Sequence, residues 1–327
     1  MKEKELIRLI KASQLYYEQN MTQAEIAREM EISRPSVSNL LARARKEGLV
    51  TITVKPFEST TFGKAQVLRD YFDLKSCQVV AVGSTKKETE QNISNQVVDT
   101  LLSVLPRTRV LGVGWGYNMG QVVGALCQRE IKEKLSATLC PMIGTATIPH
   151  KGYHPNELCT DVSQKLGIPA EFLISPAFPT TRQEYRLFIN TENYANIYTL
   201  WKRMDTCMVT MGGYPCVPDH ATASRFGRRL VSERAVGNML SFFFDIHGNA
   251  IRGEDDCAIQ IPLKQLGRIR NFIGVAPAGG SASAVIGCLN THVVKHLVID
   301  EGIAGEVVKY LYDTEKLGKF DEGGAIL

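Results

Sequence analysis

Residues 33–46, Ser-Arg-Pro-Ser-Val-Ser-Asn-Leu-Leu-Ala-Arg-Ala-Arg-Lys, hold side chains suited to reading a nucleic acid. At helical spacing Val37, Leu40, Leu41 and Ala44 fall on one apolar face. The other face collects Arg34, Ser36, Ser38, Asn39 and Arg43, with Arg45 and Lys46 beyond. The Arg34 guanidinium can fork onto guanine, the Asn39 amide can pair with adenine, and serine hydroxyls suit a base or a phosphate. Arg43, Arg45 and Lys46 suit the backbone and would supply salt-dependent affinity. A small helical module of this kind also serves as a protein-docking domain. The density of basic and hydrogen-bonding groups favours nucleic acid.

The elements that must hold this face are local. Residues 5–19 repeat apolar side chains at helical spacing: Leu6, Leu9, Ile10, then Ala12, Leu15 and Tyr16. Thr22-Gln23-Ala24-Glu25 is a capping box that opens a second helix, with Ile26, Ala27 and Met30 inward. Glu31-Ile32-Ser33 is the turn, Ser33 the N-cap of the third helix, and Pro35 lies in its first turn. Gly48 ends it, and Leu-Val-Thr-Ile-Thr-Val (49–54) alternates as the strand of a wing. The pattern is a winged helix-turn-helix whose third helix would enter the major groove. The expected DNA-contacting set is Thr22, Gln23, Ser33, Arg34, Ser36, Ser38, Asn39, Arg43, Arg45 and Lys46.

Composition agrees with a small module ahead of a larger one. The chain has 327 residues, 44% hydrophobic and 22% charged, with a net charge of +4. Residues 1–55 carry ten Lys/Arg against seven Glu, so three of the four excess positive charges lie there. The N-terminus has no apolar stretch of the signal-peptide kind, and no run approaches the ~18 apolar residues of a membrane span. Eight scattered cysteines form no C-x-x-C pair, which argues against a disulfide framework or a zinc site and for a reducing cytoplasm. His150 and His154 share a Pro/Gly loop, which lacks helical metal-ligand geometry.

The domains are expected at 1–55, then a linker and connecting helix over 56–75, then 76–327. In the last part strand candidates at 77–82, 109–114, 138–143, 171–175, 206–211, 240–244, 271–276 and 296–299 alternate with helices, for example 118–129, 156–166, 281–289 and 302–312. That alternation predicts a Rossmann-like α/β domain with a mostly parallel sheet covered on both faces. Its strands end in glycines, Thr145, Asp245 and Asp300. In such sheets these ends line the ligand crevice. Small residues, hydroxyls and acids suit an oxygen-rich ligand. Gly112, Gly114, Gly116 and Gly120 do not make G-x-G-x-x-G, which disfavours a dinucleotide. Asp245 reads equally as a ligand carboxylate or a turn former. Asp300 reads as a helix cap.

Residues 15–54 (LYYEQNMTQAEIAREMEISRPSVSNLLARARKEGLVTITV) resemble the DNA-binding domain of SorC-type regulators, often grouped with DeoR. VLGVGWGYNMGQVV, NELCTDVSQKLGIPAEFLISPAF, AVGNMLSFFFDIHGN and FIGVAPAGGSASAVIGCLNTHVVKHLVIDEGIA resemble successive motifs of that family's large domain. The resemblance implies a sensor domain related to sugar-phosphate isomerases and deaminases, without catalysis or cofactor. It further implies a homotetramer on palindromic operators. Effector contacts carry over to Gly114, Gly116, Tyr117, Asn118, Thr145, Asn156, Asp245 and Ser281. Two places depart from the family pattern. Tyr117-Asn118 stands where Arg/Lys-Thr is usual, and Ser281 where Lys is usual, so two phosphate-holding cations are missing. The expectation is a neutral or weakly charged sugar or polyol, or a phosphosugar if Arg182 or Lys151 supplies charge. The resulting reading is a transcriptional regulator, activator or repressor, of a carbohydrate operon. The alternative is an isomerase- or deaminase-like enzyme with a DNA-binding appendage, using Asp245, Glu157 or Asp300 as base.

Overall fold

The computed structural model describes residues 3–51, 60–131, 135–145, 153–215, 225–254 and 256–314. The chain divides into two compact units, Met1–Pro56 and Phe57–Leu327.

In the first unit α1 (Glu3–Ser13) runs into a single π-helical turn, Gln14–Glu18, followed by α2 (Gln23–Glu29) and α3 (Arg34–Lys46). Leu9, Ala12 and Leu15 step along one stripe and are buried, Ala12 and Leu15 in one cluster with Ile26, Val37 and Leu41. Ile10 falls off that stripe and is exposed. The capping box forms. The Thr22 N–H and hydroxyl both donate to the Glu25 carboxylate at 2.8 Å, and the Glu25 N–H returns to the Thr22 hydroxyl. The turn into α3 places Glu31 at φ 51°, and the Ser33 hydroxyl caps α3 by accepting from the Ser36 N–H. Beyond α3 the N–H groups of Leu49 and Val50 both reach the Ala44 carbonyl. Of the strand expected over 49–54, residues 49–51 are described and are not in a strand, and 52–54 lie outside the described residues.

The second unit begins with α4 (Thr61–Tyr71), whose Leu68, with Phe72 just beyond it, is fully buried in the main core. From Thr61 onward the segment expected as linker and connecting helix therefore packs on this unit's core through Leu68, Phe72 and Leu74. Strands β1 (Ser76–Val80), β2 (Val110–Val113), β3 (Thr138–Pro141), β4 (Thr206–Gly213), β8 (Asn271–Val275) and β9 (His296–Asp300) pair in parallel in the order β3-β2-β4-β8-β9-β1. The far half of β4 leaves this sheet and carries an antiparallel branch of β5 (Gly237–Met239), β6 (Phe242–Phe244) and β7 (Ala250–Ile251).

Side chains alternate between the two faces, as the two-residue period of a strand requires. Met208, Ile273 and Val298 join one core with α5 (Lys86–Val104), α6 (Tyr117–Cys127) and α7 (Pro155–Leu166). Cys207, Val209, Phe272, Leu297 and Ile299 join the other. That core also holds α4, α8 (Arg182–Ile189), α9 (Glu192–Arg203), α12 (Ala282–Leu289) and α13 (Glu301–Asp313). Two short helices, α10 (Arg229–Ser232) and α11 (Leu263–Leu266), lie in the connection from β4 to β8.

Two strand expectations are corrected. Residues 240–244 supply only β6, in an antiparallel pairing, because Leu240 at φ 55° makes the turn out of β5. Residues 171–175 are not a strand. Single bridges at Ala170 and Pro176 bracket them, and side-chain amides take the place of a ladder. Asn156 both accepts from the Leu173 N–H and donates to its carbonyl. Asn193 accepts from the Ile174 N–H and donates to the Phe172 carbonyl.

Candidate functional site

The first candidate surface is α3. Arg34, Ser38, Asn39, Arg45 and Lys46 are exposed, while Val37, Leu41 and Ala44 hold the opposite face in the core. Pro35 near the start costs nothing, because the first N–H groups of a helix have no intrahelical partner. Ser33 and Ser36 share a hydroxyl contact at 2.8 Å, so part of their hydrogen-bonding capacity serves the helix cap. Thr22 is likewise occupied by the capping box, and Gln23 is half-buried at the head of α2. Arg43 is tied at 2.7 Å to Glu5 of α1, and this hydrogen bond and the charge behind it hold the Glu5 carboxyl below its usual range.

The second surface is the carboxyl edge of the parallel sheet. From β2 the chain crosses by α6 to β3 on one side. From β4 it goes on to β8 on the other side. Neighbouring strands whose exits diverge open a crevice between them. The loop after β2 is built for close approach. The Gly114 N–H donates to the Met208 carbonyl at 2.9 Å, and a Cβ on Gly114 would stand only 3.0 Å from that same oxygen. Gly116 sits at φ 96° in the N-cap position of α6, with no side chain capping the helix. Trp115 pins the loop by donating its indole N–H to the Leu240 carbonyl at 3.3 Å and meeting Phe178 edge-on.

Tyr117 is exposed, its hydroxyl 3.5 Å from the Glu90 carboxylate of α5. Asn118 lines a small cleft with Glu90, Ser94, Gln121, Val275 and Ala278, where α5, α6 and the end of β8 meet. Ser281 occupies the N-cap position of α12, its hydroxyl 2.7 Å from that of Ser283. Thr145 lies half-buried past the end of β3, its N–H and carbonyl paired with Ser175 and Ala177.

Two expected effector residues do other work here. The Asn156 amide is engaged on both atoms by the Leu173 backbone. Asp245 forms the turn between β6 and β7. Its Oδ1 accepts from the N–H groups of His247 and Asn249 at 2.9 Å, and its Oδ2 from the Asn249 amide. Partial burial would raise this carboxyl, but the bonds from Asn249 and His247 outweigh it and the net direction is down. The Asp245 backbone packs against Gly287, six residues beyond Ser281 and so about 9 Å farther along α12. Between the two readings of Asp245, the turn former is the one found. Asp300 caps α13, accepting from the Ile303 N–H at 3.0 Å. Glu90, Ser94 and Gln121 were not singled out from sequence.

Comparison with known proteins places both units. The Sugar-bind family model, a sugar-binding domain, matches residues 58–309, and a MarR-family model matches residues 13–56. The chain is 28% identical to the sorbitol operon regulator of Klebsiella pneumoniae over 92% of its own length and 97% of the relative's. It is 25% identical to the deoxyribonucleoside regulator of Bacillus subtilis over the same shares. The crystal structure of the full-length sorbitol operon regulator SorC from Klebsiella pneumoniae superposes with a TM-score of 0.69, covering 94% of this chain and all of that one, at 25% identity.

Proposed function

The chain belongs to the Sugar-bind family, its sugar-binding domain preceded by a MarR-type helix-turn-helix, and from that premise we propose that it is a DNA-binding transcriptional regulator of a carbohydrate-utilisation operon, controlled by a small sugar, polyol or sugar phosphate. One observation carries the reading. An exposed basic helix face occurs in the same chain as a glycine-lined strand edge furnished with hydroxyl and amide groups. Residues 1–55 read the operator, chiefly through Arg34, Ser38, Asn39, Arg45 and Lys46. Residues 76–327 bind the effector at Gly114, Gly116, Tyr117, Asn118, Thr145 and Ser281, with Asn156 and Asp245 shaping the surroundings. The working form is a cytoplasmic homotetramer on a palindromic operator, in which effector binding shifts the population between arrangements of different DNA affinity. Curated relatives with regulatory names favour this over an isomerase or deaminase, and so does the engagement of Asp245 in its own turn.

The test joins two measurements on the purified chain. Fluorescence anisotropy with the DNA upstream of its own gene should give tighter binding than random duplex. A thermal-shift screen of sugars, polyols and their phosphates should find a compound that raises the melting temperature and changes that affinity. Equal affinity for both duplexes across low salt would overturn the reading.

A further inference from the structure

We infer that Glu90 sets the effector class, selecting an uncharged hydroxyl-rich ligand and rejecting a phosphate ester at the head of α6. The inference rests on the effector reading above and narrows it. A helix start attracts anions, because its first N–H groups are unpaired and the helix dipole is positive there. Here the chain sets its own carboxylate against that place. Glu90 lies in the second turn of α5, lines the cleft beside Asn118 and Gln121, and receives the Tyr117 hydroxyl at 3.5 Å.

Among the described residues that line the cleft, none is Lys or Arg. The polar groups available are a carboxylate, two amides and the Ser94 hydroxyl, which itself donates to the Glu90 carbonyl at 2.8 Å. This set can accept hydrogen bonds from ligand hydroxyls through Glu90 and donate to them through Asn118 and Gln121. A phosphate brings acceptor oxygens only, and negative charge. It would lose the contacts to Glu90 and face a like charge, with no Lys or Arg among the described lining residues to offset it. The Tyr117 hydroxyl faces that carboxylate from 3.5 Å and brings no positive charge to the place.

The experiment titrates the full-length protein with D-glucitol, xylitol, D-fructose and L-sorbose, each beside its terminal phosphate ester, by calorimetry and thermal shift. The wild type should prefer the uncharged member of the pair that binds by about tenfold or more. Glu90→Gln keeps the shape and a partner for Tyr117 but removes the charge, and should shrink that preference about fivefold or more by admitting the ester. Glu90→Lys should acquire saturable stabilisation by inorganic phosphate that the wild type lacks. Circular dichroism checks that both variants fold. A wild type that prefers the ester, or an unchanged ratio in Glu90→Gln, overturns the inference while leaving the effector reading in place. Failure of every compound in both series to bind overturns the effector reading and the inference with it.

Discussion

At the scale of single residues, this chain spends polar side chains first on its own backbone and leaves a few for ligands. Thr22, Ser33, Asn156, Asp245 and Asp300 each hold a cap, a turn or an extended segment. Arg34 is exposed at the first position of α3, where a base edge can be reached. Arg34→Ala should cost about 1–3 kcal/mol of discrimination between operator and random duplex. Competition anisotropy reads this directly, and an unaltered ratio would remove Arg34 from the base-reading set. Gly116 is a position where the backbone alone forbids substitution. There is open space for a methyl group, but φ is 96°. Gly116→Ala should therefore lower stability by about 1–2 kcal/mol in urea unfolding and weaken effector binding with it. Capping residues were legible in the sequence because their rules are local: Thr22 and Glu25 are three positions apart and need nothing else. Glu90 was not legible. It reaches the site across 27 positions, from a helix whose place against α6 is set by packing rather than by any motif.

At the scale of elements, the parallel core could be read from its apolar runs, and its failures are instructive. Residues 171–175 have the composition of a strand, yet amides from Asn156 and Asn193 satisfy their backbone groups. A sequence pattern records the hunger of those groups for partners and says nothing of whether a strand or a side chain supplies them. The antiparallel branch escaped in the same way, since β5 and β7 are only three and two residues long. The seam of β1, β9 and β8 contains a pH-sensitive joint. Buried His296 on β9 lies 2.8 Å from the Ser76 hydroxyl and 3.5 Å from Asn271 Oδ1. Burial, aided by Lys75, pushes its pKa below the ordinary value. An unfolded histidine takes up its proton near pH 6.5. Below that pH the unfolded chain binds a proton that the native one resists, so this contribution is complete above about pH 6.5 and is lost as pH falls towards the depressed native value. His296→Asn should flatten the stability-against-pH curve between about pH 5 and 7, and a wild-type slope retained in the variant would exclude His296 as its source.

At the scale of the whole molecule, the two units divide their chemistry. The first carries most of the excess positive charge, and the second most of the apolar core. Affinity for duplex DNA should fall steeply with salt, with a logarithmic slope of about −0.9 for each phosphate neutralised. Lys46→Ala should reduce that slope by about 1 without altering sequence preference, and a change of preference instead would give Lys46 a base-reading role.

Within the second unit, α4 is held beside the sheet at one point by charge. Thr60 caps α4 by accepting from the Gly63 N–H, and one residue later Lys64 grips Glu301 at 3.0 Å. Glu301 directly follows the last residue of β9. α4 is thus tied to the carboxyl end of β9 by an ion pair within the second unit, so breaking it should loosen the start of α13 against α4.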